Sequence, residues 1–345
     1  MSNEDAALAM FRTLKDERDV KVIDRAAVAE RVKKTIFGQD DTVDLIVEQV
    51  RNGFAANPKR REGPIGVFML LGPAGTGKTS LGRALASAIF DSDDGFTMVD
   101  MNSCRDENAA WTYFGSPSGY AGGRGLLTSA IASRKGSGML ILLDEFEKAS
   151  ATVHRMFLNA WATGFIVDNR EGAQIDTRST IWVLTSNALA DEAEKAKRKF
   201  GDDRDGFNEE MRTKLLEDPK TQRMIFPPEV LSRVSEFFCL ERLAFDGEEH
   251  QRMGLRLIRG IIARLASEYD LSLEADDISV PATVRTLRML DQEFRTSGIR
   301  ALQRWLRRQL SSQFVDIRLS RGAQTPVRVD AGEALGPRLV AAAKI

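Results

Sequence analysis

The 345-residue chain is predicted to be α/β: a mostly parallel sheet sandwiched by helices, followed by a small, mainly helical C-terminal domain. Three observations predict it. Strand-length apolar runs at 67–71, 96–101, 139–143, 180–184 and 236–240 alternate with helical or loop stretches, as in a sheet buried on both faces. Residues 72–79 read Gly-Pro-Ala-Gly-Thr-Gly-Lys-Thr, directly after the first of these runs and directly before a helical stretch. From about Phe245 the strand runs give way to helical spacing, with Met253, Leu257, Ile261 and Leu265 recurring up to Asp270.

Residues 1–30 read as a charged helical N-terminal extension, residues 31–243 as the large domain and residues 244–345 as the small one. The linker at 57–64 carries a basic run, Lys59-Arg60-Arg61, that reads as a solvated loop rather than a nucleic-acid patch. After the glycine-rich loop, Leu81, Leu85 and Ile89 share one face of a helix. Residues 189–225 are highly charged and read as an insertion. In the small domain a short strand is expected at 271–273, helices around 281–295 and 298–317, and a last strand at 326–329.

Composition narrows the function. Hydrophobic residues make up 43% of the chain, enough for a sizeable core. The 49 basic residues face 50 acidic ones, so no global excess of positive charge points to nucleic acid. No apolar run is long enough to span a bilayer, and the acidic start Met1-Ser2-Asn3-Glu4-Asp5 is wrong for a secretory signal. Cys104 and Cys239 lie far apart in no metal or redox pattern, and His154 and His250 give no metal spacing. A cytoplasmic location is expected, with both cysteines as packing residues.

The loop at 72–79 is the strongest chemical signal. Gly72, Gly75 and Gly77 let the chain wrap so that backbone N–H groups face phosphate oxygens, with Pro73, Ala74 and Thr76 between them. Lys78 is placed to reach the β- and γ-phosphates, Thr79 to ligate Mg²⁺, and Ser80 to open a helix whose N-terminus favours anions. A second strand ends in Asp144-Glu145. Asp144 is suited to hold Mg²⁺ and Glu145 to polarise an attacking water; the alternative is a strand capped by two solvated acids, which the upstream loop disfavours. A third strand ends Leu184-Thr185-Ser186-Asn187. Asn187 would position the water or simply occupy a turn, and local chemistry does not choose.

Taken together, these motifs resemble the second ATPase ring of Clp-type AAA+ protein unfoldases, from about Ile36 to about Val329. Ile36-Phe37-Gly38-Gln39 resembles the segment that packs on adenine, which implicates Phe37 and Gly38. Leu143-Asp144-Glu145-Phe146-Glu147-Lys148-Ala149 is similar to the family's acidic strand end, and Thr185-Ser186-Asn187 to its sensor-1 motif, which implies the water-positioning role for Asn187. Phe226-Pro227-Pro228-Glu229-Val230-Leu231-Ser232-Arg233 resembles the segment ending in the arginine finger, implying that Arg233 reaches a neighbouring subunit's γ-phosphate. Pro227 stands where the family has an additional arginine. Ser297-Gly298-Ile299-Arg300-Ala301-Leu302 resembles the lid's sensor-2 segment, implying that Arg300 contacts phosphate; the neighbouring Arg304, Arg307 and Arg308 read as a solvated face.

Residues 114–123, Phe-Gly-Ser-Pro-Ser-Gly-Tyr-Ala-Gly-Gly, are similar to the family's pore loop. The resemblance implies that Gly119, Tyr120 and Ala121 contact an extended polypeptide, the alternative being a buried tyrosine in an ordinary turn. Asp168-Asn169-Arg170-Glu171-Gly172 falls where a second pore loop lies, with weaker similarity. No Ile-Gly-Phe or Ile-Gly-Leu tripeptide of the peptidase-docking kind is found, and no first ring or recruiting domain is expected.

The resemblance therefore implies a stand-alone, single-ring ATPase using ATP and Mg²⁺, hexameric with nucleotide bound, that threads polypeptide, with no peptidase, nucleic-acid or membrane partner. The alternatives are an assembly or disassembly ATPase dedicated to one multiprotein complex and, behind it, a nucleic-acid motor.

Overall fold

The computed structural model of the protein describes residues 23–56, 60–90, 93–134, 136–242, 248–276, 297–331 and 339–343. They divide into two compact units, one drawn from 1–73 and 78–241, the other from 74–77 and 242–345.

The first unit is built on five parallel strands: β1 (Gly66–Leu71), β2 (Phe96–Asp100), β3 (Met139–Asp144), β6 (Thr180–Ser186) and β7 (Glu236–Cys239), in the spatial order β2-β3-β6-β1-β7. All five match the predicted runs. Every residue of β1 and β6 is buried, as is β3 up to Leu143, which is what a strand covered on both faces requires. Strand alternation divides the core. Val67, Met69, Leu71, Ile141, Leu143, Trp182 and Leu184 pack on one face, and Phe68, Leu70, Leu140, Leu142, Ile181 and Val183 on the other.

The second of these faces is covered by α1 (Arg25–Lys33), α2 (Asp40–Ala55) and α3 (Lys78–Phe90). Helix α1 starts at Asp24, whose carboxylate accepts from Ala27 N at 3.1 Å, a side-chain N-cap. Helix α2 has Asp40 and Asp41 in its first turn and buries Val43, Ile46, Val47, Val50 and Phe54. In α3, Leu81, Leu85 and Ile89 are buried as their spacing predicts. The part of the charged N-terminal extension before Ile23 lies outside the described residues.

The other face receives α4 (Glu107–Phe114), α5 (Leu126–Ser133), α6 (Ala151–Met156), α7 (Leu158–Ala162), α8 (Ala190–Phe200), α9 (Arg204–Lys214) and α10 (Pro228–Leu231). The charged stretch predicted as an insertion folds largely as α8 and α9. Ala193, Ala196, Phe207, Met211 and Leu215 pack into the core, while Lys195, Lys199 and Lys214 pair with Glu192 and Glu210 outside. Both cysteines are buried and free, as expected of packing residues; burial pushes the Cys239 thiol up to about 12. Between α7 and β6 a short antiparallel hairpin forms from β4 (Phe165–Val167) and β5 (Gln174–Asp176).

The parallel register aligns the strand ends. Asp100 of β2 sits opposite Asp144 of β3, Leu143 opposite Leu184 of β6, and Ser186 opposite Leu71 of β1. The segments leaving these strands, 101–103, 145–149, 187–189 and 72–79, therefore emerge at one edge, where ligands of open α/β sheets collect.

The second unit contains α11 (Glu248–Glu268), α12 (Ile299–Arg321) and a three-stranded sheet, with β9 (Pro326–Ala331) between β8 (Ser272–Asp276) and β10 (Leu339–Ala343). Strand β10, antiparallel to β9, was not expected from the sequence. The helix expected around 281–295 lies outside the described residues. Among the described residues no helix is long and apolar enough to cross a membrane.

Candidate active site

Helix α3 begins at Lys78, directly off the glycine-rich loop that leaves β1. Gly72 has φ 138°, and a Cβ there would lie 2.2 Å from the Leu240 carbonyl oxygen, so only glycine fits this turn. Gly77, at φ 96°, has open space where a Cβ would stand. Lys78 is 7% exposed, and its ammonium donates to Gly72 O at 2.6 Å, Pro73 O at 2.8 Å and Asn187 Oδ1 at 2.8 Å. Its three N–H donors thus converge on oxygen atoms between the tips of β1 and β6.

The neighbouring strand end is equally ordered. Asp144 Oδ1 accepts from Thr79 Oγ1 at 2.9 Å and from Thr185 Oγ1 at 2.6 Å. Nothing among the described residues donates to its Oδ2. Thr185 in turn accepts from the Glu145 backbone N–H at 2.9 Å. Glu145 adopts φ 54° and ψ 50°, a left-handed conformation costly for a non-glycine residue. Its carboxylate Oε2 accepts a hydrogen bond from Asn102 Nδ2. Asn102 follows β2, where the Asp100 carboxylate accepts from the Asn102 backbone N–H at 3.0 Å. Glu147 Oε1 accepts from the Asn187 backbone N–H at 3.3 Å.

The structure therefore joins these residues in two hydrogen-bonded sets that meet at the adjacent Lys78 and Thr79: Lys78 with Gly72, Pro73 and Asn187, and Thr79 with Asp144, Thr185 and, through Thr185, Glu145. Sequence reading gave Asn102 and Thr185 no role. Thr185 lay inside a motif already singled out, whereas nothing local marked Asn102.

The remaining predicted residues are distributed differently. Phe37 is half-buried beside Gly38, which has φ 68°, and the segment is fixed by Gln39, whose side chain donates to Glu241 O at 2.9 Å. Ser80 is exposed on α3. Arg233, just beyond α10, is exposed, and among the described residues its guanidinium forms no ion pair. Ala74, Gly75, Thr76 and Gly77 count with the second unit, within which the Ile299 backbone N–H donates to Gly75 O at 3.3 Å. Arg300, exposed in the first turn of α12, lines a cleft of that unit with Arg264, Glu268 and Arg304.

Tyr120 is 59% exposed, which removes the buried-tyrosine alternative. Its ring lies 4.9 Å from that of Trp111, and it stands between Gly119 (φ 94°) and Ala121-Gly122, with Gly122 at φ 136°. No described hydrogen bond joins Tyr120 to the strand-end residues.

A lysine and a glycine-rich turn suit a polyphosphate, and a hydroxyl beside a carboxylate offers hard oxygen donors to a divalent cation. Among the described residues no cluster of three or more His, Cys, Asp or Glu could cage a metal alone.

Comparison with known proteins agrees with the geometry. The family described as AAA domain (Cdc48 subfamily) matches residues 63–237. The "Negative regulator of genetic competence ClpC/MecB" of Bacillus subtilis is 30% identical over 308 residues, 86% of this chain and 36% of that protein. The "ATP-dependent Clp protease ATP-binding subunit ClpC" of Staphylococcus aureus is 32% identical over 314 residues, 89% of this chain and 37% of that protein. The chain thus spans little more than a third of the length of these curated relatives. With its parallel sheet and glycine-rich loop, the chain belongs to the Clp-type AAA+ ATPase family.

Proposed function

We propose that the protein is an ATP-dependent protein unfoldase or remodelling ATPase that draws polypeptide through the pore of a homo-oligomeric ring, most simply a hexamer. The observation that carries this reading is Tyr120, an exposed aromatic side chain set among glycines on the same unit as Lys78, Asp144 and Glu145. An aromatic ring and a mobile backbone can grip extended chain with little regard to its sequence. ClpC of Staphylococcus aureus is named as the ATP-binding subunit of a protease. For the present chain, without the docking tripeptide, we expect no peptidase partner, and we place the ring in the cytoplasm.

In this reading the loop backbone and Lys78 hold the phosphates of ATP, and Phe37 and Gly38 lie against the adenine. Thr79 and Asp144 would hold Mg²⁺, which supplies positive charge against the triphosphate. Glu145 accepts a proton from the attacking water and Asn187 helps to orient it. Arg233, supplied by a neighbouring subunit, and Arg300 balance charge that spreads over the transferring phosphoryl group. Phosphoryl transfer asks the protein mainly for positioning and charge stabilisation, and these residues provide both.

The test is ATP turnover with fluorescein-labelled casein, an unfolded protein, or with single-stranded DNA. Casein should stimulate turnover, and Tyr120→Ala should abolish that stimulation and the unfolding of a tagged substrate. Intact unfolding or remodelling by Tyr120→Ala would favour the dedicated assembly factor. Stimulation by DNA alone would favour the nucleic-acid motor.

A further inference from the structure

The Tyr120 loop and the tip of the β4–β5 hairpin are fastened to each other at two levels. The inner fastening is Asp168, the first residue after β4, which is 0% exposed. Its two carboxylate oxygens serve different segments. Oδ1 accepts from the backbone N–H groups of Arg170 at 3.0 Å and Glu171 at 3.2 Å, closing the hairpin's own turn. Oδ2 accepts from the Gly125 backbone N–H at 2.9 Å and from Thr128 Oγ1. Gly125 is the N-cap of α5 and has no side chain to cap it, so a carboxylate from over forty residues away stands at that helix start. Burial pushes the Asp168 carboxyl up, but its four hydrogen bonds outweigh this and hold it below the usual carboxylate range.

The two segments are also in close backbone contact. The Asn169 backbone N–H donates to Phe114 O at 2.8 Å. A Cβ on Gly115, at φ 88°, would lie 2.9 Å from Asp168 Oδ1, so the approach depends on glycine. The outer fastening consists of side chains at the surface. Arg124 pairs with Glu171 at 3.1 Å, and Arg170 Nη1 donates to the Tyr120 carbonyl oxygen at 3.3 Å.

We propose that Asp168 and the Arg124–Glu171 pair lock the Tyr120 loop to the 168–172 turn, so that the two handle polypeptide as one piece and Asp168 is a positioning residue for Tyr120. This rests on the reading of Tyr120 as a polypeptide contact. A local turn would need only Oδ1; the use of Oδ2 on Gly125 and Thr128 is what makes the carboxylate a link between segments. Displacement of either segment then moves the other, and substrate at the Tyr120 ring is met by Arg170 and Glu171 from the same body.

The test is hydrogen exchange followed by mass spectrometry on the full chain, with casein-stimulated ATP turnover on the same samples. Arg124 and Glu171 are each nearly half exposed, so reversing either charge should leave global stability unchanged. Arg124→Glu and Glu171→Arg should each speed exchange of the amides in both segments, 116–123 and 169–173, by about two- to fivefold, and the double swap should restore both. Asp168→Asn should speed exchange in both 115–128 and 168–173. The casein concentration for half-maximal stimulation should rise in the single variants and return in the swap. A swap as fast-exchanging as the single variants, or single changes confined to their own segment, would overturn the lock. If exchange follows the swap and casein response does not, Tyr120→Ala separates the causes. Lost stimulation in Tyr120→Ala would then overturn the coupling to substrate, and unchanged stimulation would instead overturn the reading of Tyr120.

Discussion

Asn187 Oδ1 accepts a hydrogen bond from Lys78 Nζ at 2.8 Å, joining the tip of β6 to the glycine-rich loop across 109 residues of chain. The contact sets the two proposed phosphate-site residues against each other before any ligand is considered. In the proposed function an incoming triphosphate would compete for the ammonium and free the amide oxygen to accept from a water. Asn187→Ala should therefore lower kcat by about 10- to 100-fold while changing nucleotide affinity less than about threefold. Steady-state turnover beside stopped-flow binding of a fluorescent nucleotide separates the two. A comparable loss in affinity would place Asn187 in ground-state binding instead.

Asn102 acts on the other proposed catalytic group. Its amide donates to Glu145 Oε2, and Glu145 itself sits on a left-handed backbone. Held so, one carboxylate oxygen is occupied. Removing the amide in Asn102→Ala should raise basal ATP turnover by about two- to fivefold with KM unchanged, because the freed oxygen can accept from water. Glu145→Gln should retain nucleotide and lose hydrolysis. An Asn102→Ala protein with lowered turnover would show the contact to be supporting rather than restraining.

What was legible in the sequence was local. The phosphate loop, Asp144-Glu145 and the five apolar runs are contiguous patterns, and each lies where its neighbours predicted. Asn102 was not legible because a polar residue after an edge strand has no signature; it meets Glu145 only because the register sets Asp100 beside Asp144. Asp168 likewise acquires its partners Gly125 and Thr128 through the fold, not through spacing. Charge hid the apolar stripe of Ala193, Ala196, Phe207 and Met211, so α8 and α9 read as an insertion rather than as core. Strand β10 contains Ala341, Ala342 and Ala343, of low strand propensity, and is held by pairing with β9.

Arg233 supplies a prediction about assembly. It is exposed just beyond α10, and in the proposed function it is offered to a neighbouring subunit. Arg233→Ala should bind nucleotide normally and lose about 10²- to 10³-fold in hydrolysis, an effect of the size seen when a transition-state donor is removed. Mixing it with Lys78→Ala should partly restore turnover, since mixed rings contain interfaces with both residues intact. No recovery, together with a monomer by light scattering in ATP, would remove the shared site.

His154 makes stability depend on pH. It is 1% exposed, its ring tilted against those of Phe146 and Phe226 with centroids 4.4 and 5.3 Å away, and its Nε2 hydrogen-bonded to Phe146 O at 2.8 Å. Burial lowers its pKa from 6.5 to about 4; the Phe146 hydrogen bond opposes this shift and the Arg155 charge adds to it. The folded value lies below the unfolded one, so on acidification the unfolded chain takes the proton first. The stabilisation is complete above pH 6.5 and is lost as pH falls toward 4, amounting to about 3 kcal/mol over the window. Between pH 7.5 and 5.0 the wild type should lose about 2 kcal/mol through this group. His154→Phe keeps an aromatic ring in the cluster and removes the shorter of two hydrogen bonds to the Phe146 carbonyl, leaving that from the Ala149 backbone N–H at 3.3 Å, so it should be less stable at pH 7.5 but lose less on acidification. Urea unfolding of both proteins at the two pH values decides the matter: parallel losses would mean that His154 does not titrate in this range.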